Sequence, residues 1–227
     1  MSAPAVLRVD NHLLFTAKPA GMPCVPDESG DASLLDWAKA WVAREFAKPG
    51  AVFLGVVQRL DRPVSGVVLF ARTSKAAARL SAQFRERGVL KRYLGVGEGR
   101  VTQREGELRQ WLAKDEAARR VRVVARDAPG AREAVTRWRA LAEREGRTLF
   151  EFEPLTGRPH QLRLAAATLG APLAGDLKYG ARAPLPDHSV ALHAQTLEVD
   201  HPTRAERVGA ACAPTGEVWE AFRGAWS

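Results

Sequence analysis

At 227 residues, with 46% apolar and 26% charged side chains, the chain is long enough for one domain with its own core and too ordinary in composition for a disordered, collagen-like or repeat protein. No run is long and apolar enough to cross a bilayer, the N-terminus MSAPAVLRVDNHLLF lacks a signal-peptide pattern, and the two cysteines, Cys24 and Cys212, sit in no paired motif, so a soluble cytoplasmic protein without a disulfide framework or a cysteine zinc site is expected. The net charge of +8 points to a polyanionic partner, although the arginine-rich, alanine-rich composition also fits a GC-rich coding bias, and charge alone leaves both open.

In chain order, LRVDNHLLFTAKPAG reads as a strand or hairpin closed by the turn Lys18-Pro19-Ala20-Gly21. Ser33, with Asp36 three residues on, opens a helix in which Leu34, Trp37, Ala38, Trp41 and Val42 share a face. Lys48-Pro49-Gly50 ends it. Val52–Val57 and Gly66–Ala71 are β-branched-rich and predict buried strands on either side of a tight polar connection, Gln58–Pro63. Ser74 is expected to cap a second helix, with Ala77, Leu80 and Phe84 on one face and Gly88 as its stop. Val89–Val96 predicts a strand carrying Tyr93.

Residues 100–133 are charged and weakly patterned, which suggests exposed strands and loops. Residues 100–147 hold twelve arginines and one lysine against eight acids, so more than half of the net charge lies in about a fifth of the chain. Ala134–Leu141 and Thr148–Pro154 predict a hairpin joined across Glu143–Arg147. Thr156-Gly157-Arg158-Pro159 leads into a helix over His160–Leu169, stopped by Gly170; Asp176–Gly180 is a turn and Val190–Val199 a late strand. The irregular mixture favours an α+β fold with a mainly antiparallel, mixed sheet and flanking helices. No linker is visible, so residues 1–227 are expected to form a single domain.

The strongest site for chemistry is Arg59-Leu60-Asp61-Arg62. Neighbouring guanidiniums favour the ionised form of a carboxylate, and an ionised carboxylate in a partly dry cleft can act as nucleophile or base. Taken on physics alone, a satisfied turn ion pair is the better explanation of the same residues, because surface ion pairs are common.

GVVQRLDRPVSGVVLFARTSKAAARL resembles the signature of the pseudouridine synthases of the RluA group, which modify large-subunit ribosomal RNA and tRNA. Four further blocks agree in order: LLFTAKPAGMPC, KRYLGV, TGRPHQLRLAAATLGAPLAGDLKYG and ALHAQTLEVDHP. Together they run from about residue 10 to residue 202. The resemblance implies a catalytic domain with a central cleft, with Asp61 as the catalytic carboxylate acting on a flipped-out uridine in rRNA or tRNA. It implies Tyr93 against the uracil face, Arg163 paired with Asp61, Leu162 lining the uracil pocket and Arg59 helping to hold the base out. No metal and no cofactor are implied. Many relatives carry an N-terminal RNA-binding S4 module; this chain starts almost at the first catalytic block, so the expectation is that the module is absent and that the basic segment holds RNA. Arg119, Arg120 and Arg122 form its densest cluster, with Arg62 and Arg158 at the cleft edge as further RNA contacts. A monomer is the default expectation.

Two positions depart from the pattern: Gln58 replaces the usual histidine before the RLD triplet, and Val64 the usual threonine. Glutamine can hydrogen-bond to RNA or backbone but cannot titrate. Gly95–Gly99 lacks the residues of a phosphate loop, and His188 and His193 have no metal-ligand spacing. Two other functions stay in view: an RNA-binding or RNA-folding protein with little activity, and a carboxylate-dependent glycosidase, for which no second carboxylate is evident near Asp61.

Overall fold

The computed structural model of the chain describes residues 3–118 and 120–226. In chain order these contain β1 (Ala5–Val9), β2 (Leu13–Lys18), α1 (Leu34–Glu45), β3 (Gly55–Val56), β4 (Ser65–Ala71), α2 (Ser74–Arg85), β5 (Leu90–Glu98), β6 (Glu105–Asp115), β7 (Arg120–Val124), β8 (Arg132–Arg144), β9 (Arg147–Pro154), α3 (Gln161–Thr168), a 3-10 turn (Leu177–Tyr179), β10 (Leu192–Asp200), β11 (Arg207–Ala211) and α4 (Glu217–Glu220). The architecture is α+β, with mainly antiparallel sheet and few helices, as the sequence predicts. The chain divides into two compact units. One comprises Met1–Lys91 and Ala194–Ala213, the other Arg92–His193 and Pro214–Ser227.

In the first unit β2 pairs antiparallel with β1 on one side and with β4 on the other. The outward strand order continues from β4 to β10, which pairs antiparallel with β11. Alternate residues of these strands, Leu13 and Phe15, Val67, Leu69 and Ala71, Leu197 and Val199, join Ala76 and Leu80 of α2 in one buried cluster. That is the period-2 face of a sheet meeting the apolar stripe of a helix.

α1 begins as expected, with Ser33 Oγ accepting the Asp36 amide at 3.1 Å. Leu34, Ala38 and Val42 are its buried residues, while Trp37 and Trp41 flank that stripe half-exposed. The cap of α2 is Thr73, one residue earlier than expected, because its hydroxyl reaches the Ala76 amide at 3.1 Å. Arg87 rather than Gly88 takes the left-handed conformation (φ 63°), and the Gly88 amide closes onto the Gln83 carbonyl at 2.9 Å. The expected strand over Val52–Val57 shrinks to Gly55–Val56, with Phe53 and Val56 exposed.

In the second unit the strand order is β5-β9-β8-β6-β7, with antiparallel pairing between each pair of neighbours. β8 and β9 are joined through Glu145 (φ 51°) and Gly146 (φ 70°), the two positive-φ residues of a tight hairpin turn. The weakly patterned 100–133 region supplies β6 and β7. Leu94, Val96, Leu149, Ala174 and Ala191 pack with Val218, Trp219 and Phe222 from the C-terminal segment, whose helix α4 the sequence reading did not anticipate. α3 ends in a glycine cap: Gly170 has φ 80°, and its amide and that of Ala171 reach the carbonyls of Ala167 and Ala166.

Candidate active site

Asp61 sits half-buried between β3 and β4, in a turn closed by the Val64 amide donating to the Asp61 carbonyl at 3.0 Å. The backbone on both sides of it is fixed within the first unit. Before it, the buried Leu60 donates its amide to Cys24 Sγ at 3.2 Å. After it, the Arg62 carbonyl accepts from the Gly21 amide at 2.8 Å and from Lys18 Nζ at 3.1 Å. Lys18 also donates to the carbonyls of Pro19 (2.9 Å) and Met22 (2.7 Å). The Lys18-Pro19-Ala20-Gly21 turn is therefore built around its own lysine, and that lysine carries the Asp61 turn with it.

Lys18 is only 2% exposed, and burial pushes its amine down to about 8, with the charge of Asp61 opposing the shift. Burial pushes the Cys24 thiol up, so it packs as a neutral acceptor. Gln58 donates to the Val67 carbonyl of β4 at 3.2 Å, the backbone role that glutamine's amide permits.

Arg59 is exposed beside the turn. Arg62 is exposed too, but its Nε donates to the Gly21 carbonyl at 2.9 Å and its guanidinium pairs with Asp31 and, at 3.8 Å, with Asp27. It fastens the 21–31 segment to the turn.

The remaining expected site residues lie in the second unit. Tyr93 lies on β5, opposite Phe152 of β9, and is half-buried. Leu162 and Arg163 open α3 and are both 6% exposed. The loop before α3 is held by Gln161, whose Nε2 donates to the Val135 carbonyl and to Thr136 Oγ1, and whose Oε1 accepts from Thr156 Oγ1 and the Arg158 amide. His160, left-handed at φ 55°, turns the chain into the helix.

Arg163 meets Asp176 in a two-pronged ion pair, Nε to Oδ2 at 2.7 Å and Nη2 to Oδ1 at 2.6 Å, with Asp176 1% exposed. The pair uses one edge of the guanidinium; the fork has donors enough for a second acceptor. Arg158 Nε donates to the Glu133 carbonyl at 2.9 Å, so part of its fork is structural. Arg120 is exposed at the start of β7, and Arg122 pairs with Asp115 at 3.1 Å; Arg119 lies outside the described residues. Lys18, Cys24, Asp176 and Tyr179 join the site's framework with no local sequence signal for a role there. Lys18 and the Asp176–Gly180 turn fall within the family-like blocks, but nothing local distinguishes a buried lysine from a turn lysine.

Residues 12–168, more than half of the chain, match the family described as RNA pseudouridylate synthase. The chain belongs to this family. That places it among isomerases that modify RNA. It is 37% identical over 198 residues to an uncharacterized RNA pseudouridine synthase of Zymomonas mobilis, covering 87% of this chain and 88% of that one. It is 33% identical to the dual-specificity RNA pseudouridine synthase RluA of Haemophilus influenzae, covering 88% of this chain and 89% of that one. It spans 66% of the length of YhcT, an uncharacterized RNA pseudouridine synthase of Bacillus subtilis, at 33% identity. The solved structure of human RNA pseudouridylate synthase domain containing 4 shares the fold, with a TM-score of 0.76 at 22% identity over 92% of this chain and 88% of that one. Among the described residues no helix is long and apolar enough to cross a membrane.

Proposed function

We propose that the chain converts uridine to pseudouridine in a structured RNA, ribosomal or transfer, as a single catalytic domain, with Asp61 as the catalytic carboxylate. The observation that carries this reading is the turn itself: Leu60 before Asp61 and Arg62 after it are tied to Cys24, Gly21 and Lys18, so one carboxylate is presented on a backbone held at both ends. The reaction breaks the bond between uracil N1 and ribose C1′, turns the uracil, and joins C5 to C1′. The C5 proton leaves, N1 gains one, and the atoms balance as an isomerisation. Asp61 reacts while the uracil is detached, Tyr93 packs on the flipped base, Leu162 lines its pocket, and Arg163, held by Asp176, is the partner proposed for Asp61. Arg59 helps hold the base out of the stack. The haemophilus relative's name supports an RNA substrate.

The test is tritium release from RNA labelled at uracil C5, with strand integrity checked. Wild type is expected to release tritium without cleavage. Asp61→Asn is expected to lose at least about a thousandfold in turnover, the order seen when a transition-state group is removed, while keeping fold and RNA affinity. Turnover within tenfold of wild type in that variant removes Asp61 from the chemistry. Binding without release by wild type supports an RNA-binding protein instead.

A further inference from the structure

Arg163 is steadied by more than Asp176. The guanidinium carbon lies 5.0 Å from the centroid of the Tyr179 ring, within range of a favourable cation–π contact. Asp176 and Tyr179 belong to one short turn, closed by the Tyr179 amide donating to the Asp176 carbonyl at 3.0 Å and followed by Gly180 at φ 110°. The turn therefore presents a carboxylate to the edge of the guanidinium and an aromatic ring to its face.

The other end of Tyr179 faces different structure. Its hydroxyl accepts the Val121 amide at 3.1 Å and donates to the Val121 carbonyl at 3.2 Å. His160 Nδ1 lies 2.6 Å from the same oxygen, the two rings meeting edge to face. With the imidazole donating, the hydroxyl accepts two hydrogen bonds and donates one, its full capacity. Val121 belongs to β7, the last strand in this unit's order, so a phenol takes up backbone groups on a strand at the sheet edge. The same strand carries Arg120 and Arg122. Tyr179 also packs against the cluster of Leu112, Val121, Ala134 and Leu164, which joins the hairpin to the helix bearing Arg163.

We propose that Tyr179 is a positioning residue that couples the β6–β7 hairpin to Arg163, its hydroxyl holding the hairpin and its ring holding the guanidinium. The inference rests on the reading of Arg163 as part of the site and of the hairpin as an RNA-holding element. The two functions of the Tyr179 side chain are chemically separable, because phenylalanine keeps the ring and lacks the hydroxyl, whereas leucine lacks both.

Tyr179→Phe is expected to raise KM for C5-labelled RNA by about threefold to tenfold, the range of one or two lost hydrogen bonds, with kcat within about twofold of wild type. Tyr179→Leu is expected to show the same rise in KM and a kcat reduced by about tenfold or more, which the phenylalanine variant recovers. Hydrogen exchange, read without RNA, should quicken at residues 120–124 in both variants while α3 stays protected. Unchanged exchange at 120–124 in Tyr179→Phe overturns the coupling, as does a phenylalanine variant that loses as much kcat as the leucine variant. If wild type releases no tritium from any RNA, the isomerase reading fails, and the exchange experiment still decides whether Tyr179 holds the hairpin.

Discussion

Burying an amine among three carbonyls sets two opposing pH trends at Lys18. Its folded pKa of about 8 lies below the ordinary 10.5, so between these values the unfolded chain binds the proton and the folded chain does not. Stability contributed by this group therefore rises with pH through that window. Activity should do the reverse. Above about pH 8 the neutral amine has two hydrogens for three carbonyls, one of them that of Arg62, and Asp61 loses a nearby positive charge. The expected pH–rate profile has an alkaline limb near pH 8 with no parallel fall in melting temperature. Lys18→Met, with no proton to lose, should turn over more slowly and lack the limb. A limb that persists unchanged in Lys18→Met assigns it to another group. In the sequence Lys18 looks like a turn residue, because one of the three carbonyls that surround it comes from a segment more than forty residues away.

At the scale of elements, legibility followed the strength of local signals. α1 and the β8–β9 hairpin were readable because Ser33 with Asp36, and Glu145 with Gly146, act on their immediate neighbours. β6 and β7 were legible only as exposed strands and loops without bounds, since their charges follow no clear alternation and their limits are set by pairing, β7 on β6 and β6 on β8. The Asp61 turn was legible through its flanking strands and the family pattern, whereas its supports, Cys24 and Lys18, are tertiary. Gly66 marks another tertiary demand. It has φ 121°, and a Cβ there would sit 2.3 Å from the Ala194 carbonyl oxygen and 2.5 Å from its nitrogen, backbone atoms that cannot swing aside. β4 and β10 approach this closely only because the residue is glycine. Gly66→Ala should destabilise the protein by about 2–4 kcal/mol, as strain at a special backbone position does, measured by denaturant unfolding. A midpoint within error of wild type would show that the two strands can separate without loss.

At the scale of the whole molecule the net charge of +8 overstates what the described surface has left to offer RNA. Much of the basic 100–147 segment is already matched across strands. Arg137 lies opposite Glu107 on β6 and Glu153 on β9, at 3.6 and 3.9 Å; Arg139 pairs with Glu151 at 2.9 Å; Arg104 with Glu143 at 3.3 Å; and Arg109 lies between Glu107 and Glu133. Such exposed pairs add little stability, but each glutamate lowers the local potential that a phosphate would meet. Salt dependence separates the two kinds of arginine. Each phosphate neutralised contributes a slope of about −0.7 to −0.9 in log K against log salt. Replacing Arg109, Arg137 and Arg139 by alanine should leave the slope nearly unchanged. Replacing Arg119, Arg120 and Arg122 should flatten it by about 1 to 2, less than the full three contacts because Arg122 already faces Asp115 at 3.1 Å. Binding titrations between 50 and 300 mM salt, roughly the range over which counterion release dominates, give both slopes. Equal flattening by the two triple variants would mean that RNA displaces the cross-strand glutamates and spreads over the whole charged sheet face; no flattening by the second would move the phosphate contacts off the hairpin, to arginines such as Arg59 and Arg158.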